Sequence, residues 1–196
     1  IAEGALVFSS RSWGERRIEP IHEITNIAMK SGVVLSLGLG ALMLFFPEFI
    51  LRLMATDQPV IAEGAHYSRI ICFSYPVFAV SQILMIMLRS VETVKISFYL
   101  SIVTFVVNVT LNYLLIFGNS GFPELGSRGA AIATLCARIL ELILIIGYTR
   151  LIDRKVNLRL RHILCRMNTG LLRDYVRVGS PVFLSGAVWG VAMAIQ

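Results

Sequence analysis

A set of polar side chains recurs inside one of the most apolar stretches of the sequence, at spacings of three or four residues. The set is Ser97, Ser101, Thr104, Asn108 and Asn112. Residues three and four apart share one face of an α-helix, so the spacing predicts a helix with one polar side. Its groups can bind a neighbouring helix, at about 0.6 kcal/mol for an average contact, or line a cavity and contact an ion or polar solute. Both interpretations stay open, and Thr104, Asn108 and Asn112 are the cavity candidates.

Two further polar side chains, Gln82 and Thr134, lie inside separate apolar stretches. A single amide or hydroxyl in a membrane helix is more often bonded to another helix than to a substrate. Convergence with Asn108 and Asn112 would favour a functional interpretation, so both residues join the candidate substrate or cation cavity.

Opposite charges occur three residues apart in another apolar stretch, at Arg138 and Glu141. A single charge at the centre of a bilayer costs about 2.5–3.5 kcal/mol on insertion scales, and neighbours at i, i+3 on a helix can form an ion pair. The favoured interpretation is a structural pair within one helix. The alternative is a role in gating or proton transfer.

Residue patterns for catalysis and metal binding are absent from the sequence. It contains no HExxH, P-loop or GxSxG pattern and no paired carboxylates within an apolar stretch. The histidines are expected in loops, and the cysteines lack the spacing of a metal or redox motif. These residues are His22, His66, His162, Cys72, Cys136 and Cys165. We therefore expect no enzyme activity, no metal, no cofactor and no disulfide.

The composition indicates a membrane protein. Hydrophobic residues make up 56% of the 196 residues, and only 15% are charged, against about 25% in an average soluble domain. The net charge is +6. Because the basic residues flank the apolar stretches, their expected partners are anionic lipid headgroups and not nucleic acid.

Apolar runs of about 20 residues, long enough to cross a bilayer, predict the elements that position these side chains. Four complete spans are expected at about 32–53, 70–88, 96–117 and 129–148, with a fifth from about 178. The runs lack the alternation of a membrane β-barrel, so the predicted fold is an all-α polytopic helical bundle. Residues 1–8 resemble the end of an apolar helix, and we expect the sequence to be a fragment.

The charges of the predicted connections orient these spans. Connections 9–23, 89–95 and 149–177 fall on one side and contain 13 Lys and Arg residues. The connections 54–69, with Arg52 at its edge, and 118–128 fall on the other side and contain three. Because positively charged loops remain in the cytoplasm, we expect these three connections there and the protein in the cell membrane. The connection 149–177 is partly amphipathic and is expected along the inner membrane surface.

Small residues at four-residue spacing predict close helix packing, because lipid provides no hydrophobic drive for helices to associate. The sets are Gly32, Ser36 and Gly40; Gly129, Ala133 and Ala137; and Gly186, Gly190 and Ala194. Pro76 is the expected kink, because it removes a backbone donor within the first turns of its helix.

Several segments together resemble the multidrug and toxic compound extrusion (MATE) family. The most specific are NVTLNYLLIFG at 108–118 and GAAIAT at 129–134; the others are SRSWG at 10–14, PEFILRLMATD at 47–57 and MLRSVETVK at 87–95. The resemblance implies two six-helix lobes around a central cavity, with this sequence running from the end of helix two to helix seven. It implies helices of the N-terminal lobe at 1–152, a basic inter-lobe loop at 153–177 and the start of the C-terminal lobe at 178–196.

The resemblance also implies a function. Members export organic cations and drugs in exchange for Na⁺ or H⁺ by alternating access, so the expected partners are such small molecules, membrane lipids and the remaining helices. In members with a cation site in the N-terminal lobe, an Asn and an Asp one turn apart match Asn108 and Asn112. Related positions fall near Gln82 and Thr134.

Two departures from the family pattern limit this inference. Asn112 stands where those members have Asp, and Gly186 lies near the position of a Glu on helix seven. The titratable coupling residue is therefore expected elsewhere. Two alternatives stay open: a flippase for lipid-linked saccharides from the same superfamily, which would need several basic cavity residues, and a membrane scaffold that transports nothing.

Overall fold

The computed structural model describes residues 2–17, 19–52, 57–91, 93–118, 121, 123–151, 180 and 188. Seven α-helices and no strand occur in those residues. The helices are α1 (Ala2–Gly14), α2 (Glu19–Phe45), α3 (Pro47–Arg52), α4 (Gln58–Ile71), α5 (Ser74–Ser90), α6 (Val94–Phe117) and α7 (Gly126–Leu151). The predicted all-α class is confirmed for the described part of the chain.

Three helices are long and apolar enough to cross a membrane: α2, α6 and α7, with 27, 24 and 26 residues. At about 1.5 Å of rise per residue, each is longer than the roughly 30 Å of a hydrocarbon core. α4 and α5 meet the same criterion as a pair bent by 53°. With that pair counted as one span, the described residues hold four spans, in agreement with the four complete spans predicted.

The predicted loop 9–23 is wrong at both ends, because α1 extends to Gly14 and α2 begins before residue 23. α2 already begins at Glu19, because Ile21, Ile24 and Ile27 lie three residues apart on one face and are all buried. A hydropathy average misses such a one-sided helix end, since the other face carries charged and polar residues.

The end of the first predicted span, 32–53, is also wrong. α2 ends at Phe45, and Pro47 begins the six-residue α3, because proline lacks the backbone N–H that a continuing helix would use. The predicted loop 54–69 consists largely of α4, which buries one side at Ile61. Amphipathic helices of this length fall below the hydropathy of a membrane span and are easily taken for loops.

The bend between α4 and α5 lies at Cys72 and Phe73. In a continuous helix the ring of Pro76 would clash with the carbonyl of residue 72, four positions earlier. The helix is interrupted there, and Tyr75 N donates to Cys72 O at 3.2 Å in an i, i+3 bond. The distortion predicted at Pro76 is therefore found one turn before the proline.

The first of two compact units comprises residues 1–33, 82–97 and 145–196. Its core contains buried apolar side chains of α1, α2, α5 and α7, including Ala5, Ile21, Leu84, Leu88 and Ile145. α2 packs closely on α5 at Gly32, where an added Cβ would lie 2.7 Å from Ile83 Cδ1 and would require that side chain to move. This small residue allows the close approach that its spacing predicted.

The second compact unit comprises residues 34–81 and 98–144. In it, Gly129 of α7 packs directly on α6, because a Cβ there would lie 2.7 Å from the carbonyl carbon of Leu115. The next two small residues of the same face are buried as well, and they are Ala133 and Ala137. The packing groove predicted on this helix is therefore present.

Three predicted features lie outside the described residues. They are the loop 153–177, the span from 178, and the groove of Gly186, Gly190 and Ala194. The domain bounds inferred from the resemblance accordingly remain a prediction, while α7 extends to Leu151, three residues beyond the predicted end of its span.

Candidate functional site

The polar face of α6 is the protected face of that helix. Many large apolar side chains of α6 are exposed, among them Phe98, Ile102, Phe105, Val109 and Tyr113. Thr104, in contrast, is buried, and Asn108 and Asn112 are half-buried. Because a membrane helix presents apolar side chains to lipid and polar ones to protein or water, the predicted polar stripe faces the interior.

Asn108 and Asn112 lie against each other on this face. Asn112 Nδ2 donates a hydrogen bond of 3.0 Å to Asn108 Oδ1. Asn112 Oδ1 is buried, and no hydrogen-bond partner for it exists within the part of the chain that the structure describes. A buried carbonyl without a donor costs about 1–3 kcal/mol. A donor or a cation that contacted this oxygen would recover that free energy.

The other cavity candidates make no contact with the asparagine pair among the hydrogen bonds of the described residues. Thr104 Oγ1 donates to Leu100 O, and Thr134 Oγ1 donates to Ala130 O, both at 2.9 Å. Each hydroxyl thus bonds its own helix and retains only acceptor capacity for a ligand. Gln82 is half-buried on α5 and belongs to the first compact unit, whereas the other candidates belong to the second. Its convergence with the asparagine pair remains a prediction.

Arg138 and Glu141 form an ion pair on α7, with Nη1 and Oε2 2.9 Å apart. The glutamate side chain is 3% exposed and the arginine side chain 34%. Ser81 Oγ of α5 lies 3.5 Å from the same carboxylate oxygen. The arginine Cζ lies 4.3 Å from the centre of the Phe78 ring, also on α5. Two residues of α5 and two of α7 therefore form one network of contacts within the second compact unit.

Some polar residues of this molecule are missed by sequence reasoning. Spacing along the chain does not predict Ser81 as a partner of Glu141, because the two are 60 residues apart. On α2, in contrast, a signal existed: His22, Asn26 and Lys30 follow each other at four-residue spacing and so share one face. The predicted loop position of His22 is wrong, and so is that of the histidine at position 66, which lies on α4.

Among the described residues, no three His, Cys, Asp or Glu side chains gather in a way that could hold a metal ion. Cys72 is buried and Cys136 is exposed, and both are free thiols.

The sequence matches the MatE family model over residues 1–114, which is more than half of the chain. A probable multidrug resistance protein, YoeA of Bacillus subtilis (strain 168), is 29% identical over 188 residues, covering 94% of this chain and 40% of that protein. A probable multidrug resistance protein NorM of Rhizobium meliloti (strain 1021) is 36% identical over 126 residues, covering 64% of this chain and 27% of that protein. The chain thus spans well under half the length of these relatives.

A solved structure gives the same answer for the fold. The crystal structure of MATE in the bent conformation is similar with a TM-score of 0.83 at 21% identity, covering 98% of this chain and 42% of that one. This likeness confirms the polytopic helical fold, and the long apolar helices agree with a position in the membrane. The match of the family model over more than half of the sequence shows that this chain belongs to the MatE family of multi-pass membrane transporters.

Proposed function

We propose that the chain is part of a cation-coupled antiporter that exports drugs or organic cations by alternating access, with Na⁺ or H⁺ as the coupling ion. Membership of the MatE family supports the transporter class, and the names of the relatives refer to multidrug resistance. The observation that carries the proposal is the protected Asn108–Asn112 pair on α6, with its buried carbonyl oxygen.

The chemistry of this pair suits a cation or a hydrogen-bond donor. Amide oxygens carry partial negative charge and accept from donors or metal cations, but an asparagine has no proton to exchange at physiological pH. The pair would therefore hold Na⁺ or a polar group of the substrate directly, and a proton-coupled cycle would need a carboxylate at another position. Secondary transporters coordinate Na⁺ with backbone carbonyl oxygens, and the side-chain carbonyl of an asparagine offers an oxygen ligand of the same kind.

The test is the double variant Asn108→Leu/Asn112→Leu in the full-length protein, reconstituted in proteoliposomes. Both drug efflux and its response to Na⁺ and pH gradients are measured per folded molecule. We expect efflux to fall at least about tenfold, because tenfold corresponds to 1.4 kcal/mol and an unmade polar contact is worth about that much. Thr110→Val is the matched control, since Thr110 is exposed on the same helix.

Unchanged efflux and unchanged ion coupling in the double variant would reject the asparagine pair as a transport site. The same vesicles separate the alternatives, because a saccharide flippase would move a lipid-linked substrate without a drug, and a scaffold would move neither. The flippase is the weaker alternative, because it would need basic residues in the cavity. On α7, the Arg138 guanidinium is paired with Glu141 and does not offer a free charge to a pyrophosphate.

A further inference from the structure

A cluster of four side chains on α5 and α7 lies apart from the asparagine pair. Phe78 and Ser81 are three residues apart on α5, and Arg138 and Glu141 are three residues apart on α7. Residues at i, i+3 share a helical face, so each helix contributes two neighbouring groups. The Ser81–Glu141 and Phe78–Arg138 contacts, at 3.5 Å and 4.3 Å, show that the two faces meet.

Burial differs sharply between the members of this cluster. The Glu141 side chain is 3% exposed, whereas that of Arg138 is 34% exposed and Phe78 is 39% exposed. The carboxylate therefore lies at the bottom of the cluster and the aromatic ring at its outer end. Arg138 extends inward between them, with its guanidinium in contact with both.

Two groups contact this guanidinium, the Glu141 carboxylate and the Phe78 ring, and both are groups that recognise cations generally. A carboxylate gives a charge-assisted hydrogen bond, and an aromatic face attracts a cation within about 6 Å of its centre. Ser81 Oγ lies beside the carboxylate at 3.5 Å, while its hydroxyl makes a shorter contact of 3.1 Å with Phe78 O of its own helix. A planar guanidinium satisfies the carboxylate and the ring simultaneously, which a compact ammonium does less well.

We propose that Phe78, Ser81 and Glu141 form a binding site for a guanidinium-type organic cation, which Arg138 occupies as a ligand tethered to the same chain. The tether gives the arginine a high effective concentration, so an external cation competes poorly in the native protein. Its flexible and partly exposed side chain can leave without unfolding α7. This site is distinct from the asparagine pair and does not depend on the proposed transport function.

The experiment removes the tethered ligand and supplies a free one. In the full-length protein, Arg138→Met keeps an unbranched side chain but leaves the Glu141 carboxylate without its cation. Thermal unfolding in detergent is followed with guanidinium chloride at low millimolar concentration, and with equal concentrations of NaCl and NH₄Cl. A ligand that binds only the folded state raises the Tm as its concentration passes the Kd, and we expect a rise of about 3 °C or more with guanidinium.

Two comparisons make the outcome specific. The native protein should need at least about a tenfold higher guanidinium concentration for the same rise in Tm, because Arg138 competes for the site. The double variant Arg138→Met/Glu141→Gln should fold without a cation and show no selective response. Adding Phe78→Leu to Arg138→Met should reduce the preference for guanidinium over ammonium, since the ring then no longer stacks on the planar cation.

An equal response of Arg138→Met to all three salts would overturn the proposal, as would the same guanidinium effect in the Glu141→Gln double variant. If Arg138→Met does not fold in plain buffer, it is purified with and without 5 mM guanidinium, an amount several hundredfold below the molar concentrations that denature proteins. Recovery of monodisperse protein only with guanidinium supports the site. Failure under both conditions counts against it.

Discussion

The buried Glu141 carboxylate pairs with the Arg138 guanidinium at 2.9 Å, and Ser81 Oγ lies beside it at 3.5 Å. Glu141→Gln keeps the size of the side chain and removes its charge. We expect the free energy of unfolding to fall by about 1–3 kcal/mol, less than the 3–5 kcal/mol for a fully buried pair, because the arginine is one-third exposed and partly screened. Tm and the yield of folded protein measure this loss.

Drug efflux per folded molecule separates this structural role from a functional one. It should remain near the native value in Glu141→Gln, and Glu48→Gln, at an exposed position of α3, should change Tm very little. A variant with native Tm and yield but no efflux would instead assign Glu141 to gating or proton transfer.

At the scale of single residues, local spacing predicted some contacts and could not predict others. Asn108 and Asn112, like Arg138 and Glu141, were expected to be neighbours because helix geometry alone brings i, i+3 and i, i+4 side chains together. The contact of Ser81 with Glu141 depends on how α5 packs on α7, which no spacing within either helix encodes. Burial of the Asn112 carbonyl has the same tertiary origin.

At the scale of helices, Gly129 is the described glycine of α7 that lies closest to α6. Gly129→Ala would bring its Cβ against the backbone of Leu115, which cannot rotate away as a side chain can. We expect the free energy of unfolding to fall by about 1–3 kcal/mol from overpacking, measured as a lower Tm in detergent.

The matched control is Gly147→Ala on the same helix, where no atom lies within 4 Å of the added Cβ. That substitution should raise stability by up to about 1 kcal/mol, because alanine favours a helix over glycine. Equal effects of the two substitutions would show that helix propensity, and not contact with α6, decides the result at Gly129.

Helix centres were predictable from the sequence, whereas several helix ends were not. The centres of α6 and α7 are apolar over many residues, because a helix that crosses lipid must be apolar over the thickness of the hydrocarbon core. The start of α2 at Glu19 and the whole of α4 are only one-sidedly apolar, since these segments bury one face on protein and expose the other. An average over a window cannot distinguish them from loops, but an analysis of periodicity around Ile21 and Ile24 would have done so.

At the scale of the whole chain, the predicted orientation depends on whether α4 and α5 cross the membrane together as one bent span. If they do, the connections after α1 and after α5 face one side of the membrane, and those after α2 and after α6 face the other. The excess of positive charge in 9–23 and 89–95 predicts that the first of these sides is cytoplasmic.

Cysteine labelling in cells tests that prediction. In a background with the three native cysteines replaced by alanine, single cysteines are introduced at exposed positions of the connections or helix ends. The positions are Glu15 and Lys95 for the cytoplasmic side, and Asp57 and Pro123 for the outer side. A membrane-impermeant maleimide should label Asp57→Cys and Pro123→Cys in intact cells, and Glu15→Cys and Lys95→Cys only after permeabilisation.

The pattern of labelling distinguishes two kinds of error. Labelling of only Glu15→Cys and Lys95→Cys in intact cells would reverse the orientation and leave the four crossings unchanged. Labelling of Asp57→Cys without Pro123→Cys would place the two connections on opposite sides. Because α6 separates Lys95 from Pro123 by one crossing, that result would mean that α4 and α5 do not cross together, and that the 53° bend at Cys72 and Phe73 belongs to a re-entrant segment.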